Sequence, residues 1–150
     1  DRSAIIYTHA HNFWPHTAAS IASLLEHAGD LDIHIFVDKT DDYWWNKIRP
    51  LCAATNSTIM VHLFDTELTK GLKNCGYYGL TTYNRLFIPE LFAGKAERLI
   101  YLDSDMIVRS SIKELKTVSL DGYVLAAVPG ASKRCNISKA NSLEIGRAHV

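Results

Sequence analysis

The stretch that decides the fold is residues 99–108, Leu-Ile-Tyr-Leu-Asp-Ser-Asp-Met-Ile-Val. Four apolar residues, most of them strand formers, run directly into two carboxylates. Because successive strand residues point to opposite faces, Asp103 and Asp105 are predicted to project to the same side, about 6–7 Å apart. Charges rarely end a buried strand unless a cation neutralises them. A divalent ion that also binds a diphosphate fits this pattern. The alternative is a polar turn in which one aspartate caps the next segment.

Composition sets the broad class of the protein. The chain has 150 residues, enough for one domain with a sizeable core, and 47% of them are hydrophobic, which argues against disorder. Lys and Arg together number 16, as do Asp and Glu. A balanced charge of this kind does not favour nucleic acid as a partner.

Segments with strand and helix character alternate along the chain. Strands are predicted at 4–7, 33–37, 58–64, 98–102 and 124–128. Helices are predicted from Pro15, after the capping residues 40–42 and over 81–88, with Pro50 kinking or ending the second and Pro89 opening a further short turn. A long loop spans 65–79. This alternation predicts an α/β fold with a mainly parallel sheet and helices on both faces.

Four pieces of sequence identify a family. They are Asn12-Phe13 with Ser-Ile-Ala-Ser at 20–23, Thr-Tyr-Asn-Arg-Leu at 82–86, Ile-Pro-Glu-Leu at 88–91, and Tyr-Leu-Asp-Ser-Asp at 101–105. In this order the chain resembles glycosyltransferase family 8, the retaining nucleotide-sugar transferases that include bacterial lipopolysaccharide galactosyl- and glucosyltransferases and glycogenin. The resemblance covers about residues 3–130 and implies a GT-A, Rossmann-like nucleotide-sugar-binding domain. It also implies transfer of glucose or galactose from a UDP-sugar to a saccharide or glycolipid acceptor, in lipopolysaccharide or cell-surface glycan synthesis.

The resemblance assigns roles around the aspartate motif. Asp103 and Asp105 correspond to the DxD ligands of a manganese or magnesium ion that bridges the two phosphates of the donor, and Ser104 contacts the ribose through its backbone. Arg85, with Tyr83 beside it, corresponds to the arginine that reaches the phosphates and the donor sugar. The alternative for Arg85 is an exposed ion pair on a helix.

The resemblance also assigns the nucleobase site. Thr8 falls where the backbone reads uracil, Asn12 on a neighbouring contact, and Phe13 on an aromatic residue that stacks on the base. Core packing is the alternative for Phe13.

One position departs from the family pattern. Many relatives carry an acidic pair before the asparagine, whereas this chain has Ala10 and His11. The departure puts base selectivity in question, with His9 or His11 as the substitute polar contact. A zinc site at His9 and His11 is a further alternative, although no other ligand lies at a convincing spacing.

The remaining histidines are predicted to be structural. His34 and His62 lie within apolar strands and are expected to be hydrogen-bonded on the sheet, while His16 and His27 are expected on helix surfaces.

Other features concern the chain ends and the compartment. The three cysteines, Cys52, Cys75 and Cys135, are odd in number and widely spaced, which suits reduced thiols in the cytoplasm better than a disulfide framework. Neither a membrane-spanning run nor a signal peptide is recognisable. We expect residues 1–143 to be the N-terminal part of one GT-A domain and residues 144–150 to be a non-native, adapter-derived tail. Catalytic groups and a further histidine ligand are then expected downstream, with any contact to the inner face of the membrane made there, so that this chain alone is inactive.

Two other functions share these sequence features. A haloacid dehalogenase-type phosphatase would use Asp103 as nucleophile, although that family usually has its Asp-x-Asp motif near the N-terminus. A noncatalytic nucleotide-sugar-binding module is the third alternative.

Overall fold

The computed structural model describes residues 3–64, 66–72 and 80–128. Within them lies a four-stranded sheet in which all neighbouring strands are parallel. The strands are β1 Ser3–His9, β2 Asp32–Val37, β3 Thr58–Leu63 and β4 Arg98–Tyr101. The α-helices are α1 Trp14–His27, α2 Asp42–Ala54, α3 Ile88–Leu91 and α4 Lys113–Thr117, and short 3-10 helices span His11–Phe13, Thr66–Thr69 and Leu80–Leu86. The strand order is β3-β2-β1-β4, so β1 lies between β2 and β4.

Alternating residues of the strands build two layers of core. On one face of the sheet, Ile5, Ile33 and Ile35 are fully buried in a cluster that includes residues of α1 and α2. On the other face, Ile6 and Phe36 pack with residues of α3 and of the turn that follows it. Helices therefore cover both faces, which confirms the predicted α/β architecture.

Most predicted elements are confirmed. The side chain of Asp41 caps α2 as expected, because its Oδ1 atom accepts the backbone N–H groups of Tyr43 and Trp44 at 3.0 and 3.3 Å. Of the two effects predicted for Pro50, kinking or ending the helix, the second is wrong, since α2 continues to Ala54. The helix predicted over 81–88 is a 3-10 helix to Leu86 followed by α3.

The strand predicted at 124–128 is wrong. These residues have no regular structure in the described part of the chain, and Val124 and Val128 expose 96% and 93% of their surface. An apolar run becomes a strand only where another strand is available to pair with it. Residues 1–116 form one compact unit and 117–150 a second, of which 117–128 are described.

Several predictions fall outside the described residues. They concern most of the loop 65–79, where Asp65 and residues 73–79 are not described, as well as Cys75, Cys135 and the tail 144–150. Cys52 is a buried, free thiol, and its burial raises the pKa of the thiol to about 11. None of the helices in the described residues has the length and apolar character that crossing a bilayer requires.

The two histidines predicted on the sheet contact each other. His34 Nδ1 lies 2.9 Å from His62 Nε2, a hydrogen bond whose donor depends on the tautomers. On the other side of the ring, His34 Nε2 lies 3.1 Å from Asp32 Oδ2, a contact that is an ion pair only when the imidazole is protonated. The rings pack on Phe36 and Phe92. Both histidines therefore belong to the sheet face, as expected, whereas His16 and His27 are exposed on α1.

Candidate functional site

The candidate site lies where parallel strands end. The carboxyl ends of parallel strands meet at one edge of the sheet, which is where open α/β sheets bind ligands. Thr8, Asp38 and Asp103 lie at or just beyond the ends of β1, β2 and β4. The strand order therefore makes neighbours of residues that are far apart in sequence.

The aspartate motif is anchored to β1. The backbone N–H of Leu102 donates to the Ile6 carbonyl at 3.0 Å, which extends the strand pairing beyond β4. Ser104 is buried, and its hydroxyl donates to the Thr8 carbonyl at 3.2 Å. Asp103 and Asp105, on either side of it, are exposed. Both carboxylates are therefore accessible from solvent. Because β4 ends at Tyr101 and Ser104 and Asp105 lie in a turn, the strand geometry used to predict that they face the same side does not extend to them.

A second anchor holds the segment that follows the motif. The Val108 N–H donates to Ser23 Oγ at 2.9 Å, and Ser23 Oγ donates to the Ser20 carbonyl at 2.7 Å. Ser20 Oγ in turn lies 3.1 Å from the Tyr7 hydroxyl in the core. The serines of the Ser-Ile-Ala-Ser motif thus connect α1 to β1 and to the aspartate-bearing segment.

Arg85 lies over an aromatic ring of β4. Its guanidinium carbon is 4.7 Å from the centroid of the Tyr101 ring, and its Nε donates to the Thr82 carbonyl at 3.1 Å. The Tyr101 hydroxyl is 2.8 Å from Thr8 Oγ1. Burial raises the pKa of Tyr101, as does the negative charge of Asp103, against the opposing effect of the Thr8 hydrogen bond and Arg85. Among the described residues these contacts, rather than a carboxylate, hold Arg85, which disfavours the ion-pair alternative.

The aromatic residue assigned to the base is accessible. Phe13 exposes 38% of its surface, and its ring centroid lies 5.1 Å from that of His16. Its neighbour Asn12 is exposed as well. The core-packing alternative for Phe13 is therefore wrong. Tyr83 is half-buried in the 3-10 helix that carries Arg85.

His9 and His11 have different surroundings. His9 is buried with its ring edge against Trp14, and burial lowers its pKa. Its Nδ1 atom lies 2.8 Å from the Ala10 carbonyl, and its Nε2 atom has no hydrogen-bond partner among the described residues. His11 is half-buried and contacts acidic residues instead. The zinc alternative gains no support, because the described residues contain no group of three side chains able to ligate a metal.

The carboxylates of Asp103 and Asp105 suit a hard cation. Both are exposed, and the structure gives neither a hydrogen bond nor an ion pair with another described residue. Hard divalent ions prefer oxygen ligands and complete their coordination with water and phosphate oxygens. The donor set present therefore fits manganese or magnesium bound together with a diphosphate.

Three contributors to the site had no individual role assigned from the sequence: Tyr101 and Ser23, which lie within the quoted motifs, and Asp38, which does not. Their contacts depend on which strands and helices become neighbours. A partial signal existed for Asp38, because it directly follows an apolar strand, as Asp103 does.

Comparison with known proteins shows the family. The model of glycosyl transferase family 8 matches residues 4–148. The lipopolysaccharide 1,3-galactosyltransferase of Salmonella typhimurium is 33% identical over 132 residues, which are 85% of this chain and 39% of that protein. The glycosyltransferase GlyF of Streptococcus pneumoniae is 31% identical, over 73% of this chain and 27% of its own length. The chain thus spans less than half the length of these curated relatives.

Solved structures agree on the fold. The apo form of the glycosyltransferase GlyE of Streptococcus pneumoniae superposes with a TM-score of 0.66 at 21% identity, covering 87% of this chain and 30% of that one. An active-site mutant of LgtC gives a TM-score of 0.68 at 19% identity, covering 79% and 43%. The fold is GT-A, and the chain belongs to glycosyltransferase family 8.

Proposed function

We propose that the chain is the nucleotide-sugar-binding part of a metal-dependent, retaining glycosyltransferase. The reaction would move glucose or galactose from a UDP-sugar to a saccharide or glycolipid acceptor in lipopolysaccharide or cell-surface glycan synthesis. The proposal depends chiefly on one observation: exposed Asp103 and Asp105 flank buried Ser104 just beyond the carboxyl end of β4, where Arg85 lies over the ring of Tyr101. The names of the lipopolysaccharide transferases among its relatives support the type of acceptor.

Different residues at the sheet edge are assigned to different parts of the donor molecule. Asp103 and Asp105 would hold manganese or magnesium, which when bound stabilises negative charge on the departing diphosphate. Arg85 supplies fixed N–H donors for the phosphate and sugar oxygens, with its guanidinium plane oriented by the Tyr101 ring. Ser104 and Tyr83 complete the contacts to the ribose and the donor sugar.

The nucleobase is assigned to the connection after β1. Phe13 offers an exposed ring for stacking on uracil, and Thr8, His9 and Asn12 surround it in sequence. We assign the groups that act on the sugar, a third metal ligand and any contact with the inner face of the cytoplasmic membrane to parts of the protein outside the described residues.

The family assignment favours a transferase over the phosphatase alternative. A noncatalytic module would bind the nucleotide-sugar as a transferase does but would not turn it over, so only a turnover assay separates the two. The assay measures transfer of labelled hexose from a UDP-sugar to an acceptor, with a protein that contains this chain and is as long as its relatives. Transfer would exclude the noncatalytic module.

The metal assignment is tested by removing its ligands. We expect Asp103→Asn and Asp105→Ala each to remove the manganese-dependent part of UDP binding, because each deletes an anionic oxygen ligand. The fold should survive, since both side chains are exposed. Calorimetric titration with UDP, with and without manganese, measures the effect, and circular dichroism checks the fold.

Asp42→Asn is the matched control, because Asp42 is an exposed acid on α2, outside the motif. It removes the same charge and should leave the manganese-dependent affinity intact. Unchanged manganese-dependent affinity in Asp103→Asn or Asp105→Ala would defeat the assignment.

A further inference from the structure

We propose that Asp38 is a positioning residue that caps and fixes the nucleotide-binding turn after β1. This inference rests on the proposed function of that turn. Asp38 directly follows β2, and its Oδ1 atom accepts the backbone N–H of His11 at 2.7 Å. A hydrogen bond to an ionised acceptor is shorter and stronger than one between neutral groups.

The turn has no cap of its own. His11–Phe13 forms a 3-10 helix whose N-cap residue is Ala10, which makes no side-chain hydrogen bond to it. The first N–H groups of a helix have no acceptor within the helix, and a polar N-cap side chain normally supplies one. Alanine has no acceptor to offer. Asp38 supplies the missing acceptor from the neighbouring connection.

Two further contacts join the same two connections. The His11 Nε2 atom lies 3.6 Å from Asp41 Oδ2, and the Trp14 indole N–H donates to the Lys39 carbonyl at 3.0 Å. Trp14 is almost completely buried, so core packing holds the side chain that makes the indole hydrogen bond.

Asn12 and Phe13 lie between the attached positions 11 and 14. These two of the residues assigned to the nucleobase are therefore flanked on both sides by positions attached to segment 38–41. Because ordering a side chain on binding costs free energy, a stacking ring contributes more when it is already in place. Loss of the Asp38 attachment should therefore weaken base binding although no direct contact to the base is removed.

The test compares Asp38→Ala, Asp38→Asn and the control Asp42→Asn in the full chain. We expect Asp38→Ala to accelerate hydrogen exchange of the His11 amide and to weaken calorimetric UDP affinity about tenfold, the order expected for one charge-assisted hydrogen bond. Asp38→Asn keeps an oxygen acceptor and should give smaller changes in both measurements. Asp42→Asn should change neither.

A second ligand separates positioning from general damage. Ribose 5-phosphate lacks the base, and its affinity should change less than about twofold in Asp38→Ala if the turn serves the base. Equal losses for UDP and ribose 5-phosphate would overturn the proposal, as would faster amide exchange with unchanged UDP affinity. If Asp38→Ala does not fold, the affinities for UDP and ribose 5-phosphate are compared in Asp38→Asn instead.

Failure of the proposed function gives a different result. The unmodified chain would then show no UDP binding, with or without manganese. That result would reject both the proposed function and the positioning role of Asp38. UDP binding by the unmodified chain together with unaltered binding by both Asp38 variants would reject the positioning role alone.

Discussion

Phe13 is an exposed aromatic residue next to a buried one. Trp14 exposes 1% of its surface and Phe13 exposes 38%, although the two are adjacent in sequence. A large aromatic side chain loses hydrophobic stabilisation by remaining in water. An exposed ring at the ligand-binding edge of a parallel sheet is therefore available for a ligand with a flat apolar face.

Replacing Phe13 by alanine should weaken UDP binding. The expected loss is about 1–3 kcal/mol, the range for a base stacked on an aromatic side chain. Ribose 5-phosphate should bind almost as before, because it offers no base to stack. Titration calorimetry with the two ligands measures both effects.

Tyr43→Ala is the control for this change, since Tyr43 is a 62% exposed aromatic residue on α2. It should leave both affinities unchanged. Parallel losses of UDP and ribose 5-phosphate in Phe13→Ala would indicate collapse of the turn and contradict the stacking assignment.

Individual residues were predictable from the sequence where the signal is local. Asp103 and Asp105 stand out because charge follows an apolar strand, and their position at its end needs no tertiary information. Tyr101 and Asp38 act through partners on another strand or connection, at Thr8 and His11. Without the strand order, no sequence pattern predicts those contacts.

At the level of elements, the histidine pair joins β2 to β3. Burial lowers the pKa of His62, and the neighbouring His34 and Lys95 lower it further, against the opposing charge of Asp32. Burial also lowers the pKa of His9 on β1. Below the ordinary histidine pKa of about 6.5, the unfolded chain therefore binds more protons than the native chain.

The sheet should lose stability on mild acidification. Because the folded pKa values lie below the unfolded ones, the free energy of unfolding should fall as the pH drops below about 6.5. His62→Gln keeps a polar partner for His34 but cannot take up the proton, so it should reduce this dependence. Urea unfolding at about pH 7 and about pH 5 measures the difference.

His27→Gln, an exposed replacement at the end of α1, is the control and should retain the full pH dependence. An unaltered pH dependence in His62→Gln would show that His62 does not contribute to it.

Elements were predicted well where periodicity and capping agree. The strands and the Asp41 cap were recovered because their signals are short-range. The strand predicted at 124–128 is wrong because a β-strand depends on a neighbouring strand. Pro50 does not end α2, because a proline in a helix bends or weakens it without always ending it.

At the scale of the molecule, we expect this 150-residue chain by itself to be inactive. Asp103 and Asp105 are the two metal ligands that we propose, the described residues contain no group of three possible ligands, and the chain spans 39% of the Salmonella enzyme. Without groups that hold donor and acceptor together, the rate advantage of orientation is lost, which amounts to many orders of magnitude. The measurement is UDP release from UDP-glucose and UDP-galactose in the presence of manganese.

Binding of UDP by the same preparation serves as the control that the chain is folded. Release above the rate found with manganese alone would show that the catalytic groups are already present in these residues.

The position of β1 between β2 and β4 has a consequence for synthesis on the ribosome. Its pairing with β2 involves residues about 28 positions later, whereas its pairing with β4 must await residues about 95 positions later. At translation rates of about 5–20 residues per second, this delay is on the order of 5–20 s. During that interval the nascent chain carries β1 as a temporary edge, with main-chain groups able to pair with another polypeptide. The arrival of residues 98–104 pairs this edge and brings the aspartate motif beside Thr8 in the same event, so that the open edge on this side of the sheet passes from β1 to β4.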